Sequence, residues 1–112
     1  MRAFRTVDVL ASTQEILDQA IEGGFAVGAF NVYNLEGAKA VVQAAEQEHL
    51  PVIIQIHPKS ILAGSKALPA LCLAAAKEAT ALVSVHLDHS DSEDAIRASL
   101  TAGIRSVMAD GS

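Results

Sequence analysis

An apolar run ends in His86, Asp88 and His89, inside the stretch SVHLDHSDSED from Ser84 to Asp94. Three ionisable groups at the tip of a strand-like segment are costly to bury and useful at the rim of a pocket. Residues two apart on a strand share a face, so His86 and Asp88 point the same way. Asp88 can accept a proton and, once protonated, return it. His89, where the strand gives way to loop, can offer a neutral imidazole nitrogen to a metal. A plainer reading stands beside this one. In it, His86 is a hydrogen-bonded core histidine and Asp88 caps the next helix. Asp91, Glu93 and Asp94 read as the solvated first turn of that helix, where carboxylates complement the dipole.

Other polar residues finish other apolar runs. Asn31 follows VGAF, Gln55 and His57 finish VIIQIH, and Asp110 finishes SVMAD. These runs must be strands for their tips to meet. VIIQI at 52–56 holds four β-branched residues, a strong strand signal. FAVGAFNV (25–32), ALVSVHL (81–87) and IRSVMAD (104–110) complete the predicted set. Helical spacing of apolar residues marks the segments between them. The first helix starts at a capping box of Ser12 and Glu15, shows Ile16, Leu17, Ala20 and Ile21 on one face, and stops at Gly23 and Gly24. The second starts at Asn34 and runs through LEGAKAVVQAAEQEH. HPKSILAG reads as a loop with a short helical turn. KALPALCLAAAKEAT is a helix with Pro69 in its first turn. SDSEDAIRASLTAG opens a last helix, with Ser90 and Glu93 as a second capping box. Alternating strands and helices with near-continuous apolar strands mean parallel βα units, whose functional rim is the C-terminal end of the strands. Four strands bring polar tips to that rim.

The composition suits this reading. Of 112 residues, 51% are hydrophobic and only 4% aromatic, so the core is built from small aliphatic side chains packed on a buried parallel sheet. A net charge of -5 with eight scattered Lys and Arg gives no footprint for nucleic acid or an anionic membrane. No apolar run approaches the ~20 residues of a membrane span, and MRAFRTVDVLAS lacks the apolar core of a signal peptide. The lone Cys72, within ALCLAAA, reads as a buried core thiol in a reducing compartment. Together these features predict a soluble, cytoplasmic-type protein. Neither G-x-x-x-x-G-K-[ST] nor G-x-G-x-x-G occurs in a phosphate-cradling context. Lys39, Lys66 and Lys77 fall on helical segments and Lys59 in a loop, poor settings for a Schiff-base lysine. For carbonyl chemistry a metal is the better electrophile.

Two architectures fit: a small open doubly wound sheet of flavodoxin type, or part of a (β/α)₈ barrel, which takes ~250 residues. A sequence that stops at MADGS, directly after a strand with no covering helix, favours part of a barrel.

The segments AVGAFNVYNLEGAKAVVQAAEQEHLPVIIQI and VHLDHSDSEDAIRASLTAGIRSVMADGS, with AFNVYNLE, HLDH and SVMADGS as their most specific motifs, resemble the N-terminal part of class II, zinc-dependent ketose-bisphosphate aldolases. The similarity spans about Ile16 to Ser112. It implies that residues 1–112 are an incomplete domain, the N-terminal half of a TIM (β/α)₈ barrel with about four parallel strands. It implies that Asp88 is the catalytic acid/base, that His89 is a zinc ligand, that Asp110 lies near a secondary metal position, and that Asn31 lines the substrate pocket. His57, followed by Pro58, stands where the family usually carries a substrate-contacting Ser or Thr, and Ser90 stands where many members have Gly. The other two zinc histidines and the phosphate-binding loops of the family fall beyond residue 112. The implied activity is reversible zinc-dependent cleavage of fructose- or tagatose-1,6-bisphosphate to dihydroxyacetone phosphate and an aldehyde. The setting would be cytoplasmic carbohydrate metabolism such as glycolysis, by a homo-oligomeric full-length lyase. The chain taken alone is expected to be inactive. The competing expectation is a catalytically silent barrel lobe within a larger polypeptide.

Overall fold

The computed structural model describes residues 10–63 and 66–111. The reading of residues 1–9, the end of the HPKSILAG loop at Gly64, and Ser112 lie outside them. Among the described residues nine elements follow in order: α1 (Thr13–Gly23), β1 (Ala29–Asn31), α2 (Leu35–Glu48), β2 (Val52–Ile56), α3 (Pro58–Leu62), α4 (Ala67–Glu78), β3 (Val83–Ser90), α5 (Glu93–Thr101) and β4 (Ser106–Ala109). All strand pairs are parallel. The sheet order is β1-β2-β3-β4. Each βα unit therefore adds its strand on the same side of the last. A doubly wound sheet reverses direction at a switch point. This one does not, and the flavodoxin-type alternative falls. Unreversed, singly wound order is the order of a barrel wall.

Local chemistry starts and stops the helices. Ser12 Oγ accepts the Glu15 amide at 3.0 Å, and Gly24 ends α1 in the left-handed region at φ 71°, which a glycine adopts without a Cβ clash. Asn34 Oδ1 accepts the Gly37 amide at 2.8 Å to start α2. Expectation and structure part at several places. β1 is three residues rather than eight, because the Phe25 amide is tied back to the Ala20 carbonyl and pairing with β2 begins only at the Gly28 carbonyl. On α1 only Ile16 and Ala20 are buried, while Leu17 and Ile21 are 42% and 81% exposed. PKSIL is the five-residue helix α3, capped by His57. The cap of α5 is Ser92, which accepts the Ala95 amide. Ser90 instead belongs to β3, its hydroxyl bonded to the Ser92 amide, and Asp91 precedes the helix.

Period-two alternation sorts the sheet into two faces. Ile54, Ile56, Val83, Val85 and Leu87 form one buried cluster with Ala38, Val42 and Ala45 of α2, Ile61 of α3, and Leu68, Cys72 and Ala76 of α4. Each large aliphatic side chain buried there contributes about 1.5–3 kcal/mol. Ile53 faces the other way, packed with Ala11, Ile16 and Leu82. Thr13 Oγ1 meets Ser84 Oγ at 3.0 Å on that same side. So α1 covers the opposite face where the strands begin. Where the strands end, that face carries polar residues. No helix among the described residues is long and apolar enough to cross a membrane.

Candidate active site

Register places the polar residues in rows. Asn31 pairs with Gln55, Gln55 with His86, and His86 with Ser106, one residue from each strand. Asp88 lies two residues further up β3. His57 follows β2 with an extended backbone, φ -71° and ψ 139°, so its side chain emerges on the face of Gln55 and beside Asp88.

Asp88 is held at both oxygens. The His89 amide donates to Oδ1 at 2.9 Å, and the Asn31 side-chain amide donates to Oδ2 at 3.2 Å. The second bond joins strands that are not neighbours. Two strand spacings amount to roughly 9–10 Å of backbone separation. The two side chains together bridge that gap across β2, as side chains from alternate strands fill one layer in barrel interiors. Partial burial pushes the Asp88 carboxyl upward. The two amide donors and the nearby imidazoles of His89 and His57 outweigh it and hold the group below the ordinary carboxylate value. The group is thus poised as a carboxylate, the proton-accepting form.

The strand does not end before His89, as the sequence suggests. β3 runs to Ser90, and a register shift between Leu87 and Ser90 breaks the regular alternation. Such bulges re-aim side chains at the rims of barrels. Here the shift lets consecutive residues serve one rim. His89 Nδ1 faces Asp110 Oδ2 at 3.8 Å, with both side chains partly exposed, 62% and 37%. The Asp110 amide is anchored to the Ser90 carbonyl at 2.7 Å.

His86 is half-buried and its Nδ1 lies 2.6 Å from Ser106 Oγ. Burial lowers its pKa, with Asp88 pulling the other way. The hydrogen-bonded-histidine reading therefore holds for His86. The capping reading of Asp88 fails, since Ser92 caps α5. His57 Nδ1 accepts the Lys59 amide at 3.1 Å. An imidazole that accepts at Nδ1 carries its proton on Nε2 when neutral, so His57 presents a donor at its outer nitrogen.

Asn31, His57, Asp88, His89 and Asp110 all come to the strand-end rim. Asn31 and Asp88 touch directly, as His89 and Asp88 do through the backbone. Ser106 is the partner the sequence reading missed. Period-two spacing from Met108 could have flagged it as an inward neighbour of His86. Asp91, Glu93 and Asp94 are exposed, and Glu93 pairs with Arg97 at 2.7 Å, the solvated role expected. Cys72 is buried in the helix-side core, which raises its thiol to about 11 and leaves it unreactive. Lys39, Lys59, Lys66 and Lys77 are all exposed, the reverse of the desolvated setting an imine-forming lysine needs.

An imidazole and a carboxylate, as at His89 and Asp110, are donors of the kind zinc takes. No group of three or more His, Cys, Asp or Glu gathers as a metal site among the described residues, so the donor set here is partial.

The profile of the family described as fructose-bisphosphate aldolase class-II matches residues 11–112. Among solved structures, the chain is similar to the YdjI aldolase from Escherichia coli K12, with 30% identity and a TM-score of 0.82 over 93% of this chain and 40% of that one. It is also similar to a candidate fructose-1,6-biphosphate aldolase from Coccidioides immitis, with 32% identity and a TM-score of 0.82 over 89% of this chain and 36% of the other. The chain spans well under half the length of either.

Proposed function

The chain belongs to the class-II fructose-bisphosphate aldolase family, and from that premise we propose that it supplies the first half of the barrel of a metal-dependent aldehyde-lyase. The reaction is reversible cleavage of a ketose bisphosphate, of fructose or tagatose type, to dihydroxyacetone phosphate and an aldehyde. The observation that carries this reading is the Asp88 carboxylate, fixed between two N–H donors at the strand-end rim of the sheet.

Aldol cleavage needs a base for the hydroxyl β to the carbonyl and stabilisation of the negative charge that develops on the carbonyl side. Asp88 takes the hydroxyl proton as the carbon–carbon bond breaks and the aldehyde forms. It returns that proton in the condensation direction. His89 would be one ligand of a zinc ion, with Asp110 beside it. A catalytic zinc takes about three protein ligands plus an open position, so the remaining ligands belong to barrel segments other than those described. When bound, zinc supplies the Lewis acid that stabilises oxygen charge in the ketose. His57 offers its Nε2 proton to a substrate oxygen, and His86, held by Ser106, supports the floor beneath Asp88. The full-length enzyme is a cytoplasmic homo-oligomer acting on a small sugar phosphate.

The test is to express the full-length polypeptide and measure release of dihydroxyacetone phosphate from fructose- and tagatose-1,6-bisphosphate, before and after chelation and zinc readdition. Residues 1–112 serve as the comparison. Zinc-restored cleavage by the long form, with none from the short form, is the expected result. A zinc-loaded long form that cleaves neither sugar favours the silent-lobe reading instead.

A further inference from the structure

We infer that Asn31 is a positioning residue that works through Asp88, by holding the plane of its carboxylate, rather than through contact with substrate. The inference rests on the function proposed above and assigns a role within that same site.

The geometry fixes which end of the Asn31 side chain faces Asp88. The Asn31 Nδ2 donates to Asp88 Oδ2 at 3.2 Å, so the amide end of the side chain faces the carboxylate. The His89 amide holds Oδ1 at 2.9 Å. A carboxylate anchored at one oxygen can still rotate about its side-chain bond. Anchored at both, by donors on different strands, it has one orientation. The two anchors are independent, because one is local backbone and the other reaches 57 residues along the chain.

The Asn31 anchor is itself held firmly. Its backbone pairs in register with Gln55. The next amide, Val32, bonds the Gln55 carbonyl at 3.0 Å, and the Val32 side chain is buried in the helix-side core. The donor thus stands on a fixed strand end although the side chain is exposed. Asparagine suits this task where aspartate would not. It has nearly the same shape, but aspartate would set a second negative charge against Asp88 and offer it no proton.

A residue that acts only through Asp88 has no effect once Asp88 is gone. The experiment is a double-mutant cycle in the full-length zinc-loaded enzyme, with Asn31→Ala, Asp88→Ala and the pair, and Asn31→Asp as a shape-preserving second variant. Asn31→Ala should lower kcat about 10–100-fold, the range for removing a partner that orients a catalytic-site group, with KM within about twofold of wild type for a group that binds no substrate. Asn31→Asp should lose at least as much rate. Zinc content and the thermal midpoint of both should match wild type, which separates positioning from folding or metal loss. In the Asp88→Ala background, Asn31→Ala should cost nothing further. Additive losses, or a rise in KM without loss of kcat, overturn the inference and make Asn31 a substrate contact. A zinc-loaded wild-type enzyme that cleaves no ketose bisphosphate overturns the functional reading itself, and the role for Asn31 with it.

Discussion

Replacing Asp88 removes the proton acceptor and, at the same time, the partner of two N–H donors. Asp88→Ala in the full-length enzyme is expected to lower kcat by about 10²–10⁴-fold, the usual contribution of a positioned acid or base. At ~1.36 kcal/mol per decade this is about 2.7–5.4 kcal/mol of barrier. The fold should hardly notice. Asp88 is only partly buried and Asn31 and His89 are exposed, so the amides freed by the change can turn to water, and the stability loss stays at about 1 kcal/mol or less. Asp88→Asn sharpens the test. Its carboxamide oxygen can accept from one of the two donors, but its own NH₂ then meets the other donor, and it cannot accept a proton. Both variants should therefore lose rate to a similar degree while binding zinc. The assay is steady-state release of dihydroxyacetone phosphate, with zinc quantified on the same samples. A kcat within tenfold of wild type in either fully zinc-loaded variant would refute proton transfer by Asp88.

Three further outcomes are expected. His89→Ala should leave the full-length protein folded but zinc-poor by elemental analysis, and a full zinc complement in that variant would show that His89 is no ligand. Ser92→Ala should cost ~1 kcal/mol in chemical denaturation, the usual loss for an N-cap hydroxyl, because Ser92 rather than Ser90 receives the Ala95 amide; an unchanged midpoint would remove Ser92 as the cap of α5. His86 has a folded pKa below its ordinary 6.5, chiefly through burial, so the unfolded chain takes up its proton first as pH falls. The stability His86 gives by remaining neutral is complete above about 6.5 and is lost as pH drops toward the folded value. Thermal midpoints between pH 7.5 and 5 should fall more steeply for wild type than for His86→Gln, and parallel profiles would argue against this linkage.

Much of this protein is written in local sequence, because the forces that form its elements are local. VIIQI is a strand by its β-branched side chains, and Asn34 starts α2 by its own hydrogen bond. The polar tips of four apolar runs also betray the rim, since parallel βα units leave their strand ends at one edge. Asn31, His57, Asp88, His89 and Asp110 were legible on that ground and from the HLDH and SVMADGS motifs. Three things were not legible. Ser90 and Ser92 are both good caps by type, and only the continuation of β3 to Ser90 decides which one starts α5. Whether the sheet is singly or doubly wound depends on which side of its predecessor each strand adds, a choice that the spacing of apolar residues leaves open. The bond from Asn31 to Asp88 spans β2 and depends on the register of three strands at once. That register belongs to the packed sheet, with helices on one face and α1 on the other, and no short segment carries it. Sequence therefore determined which residues could do chemistry and the edge at which they gather. Tertiary structure decided which of them touch, and so which oxygen of Asp88 each donor holds.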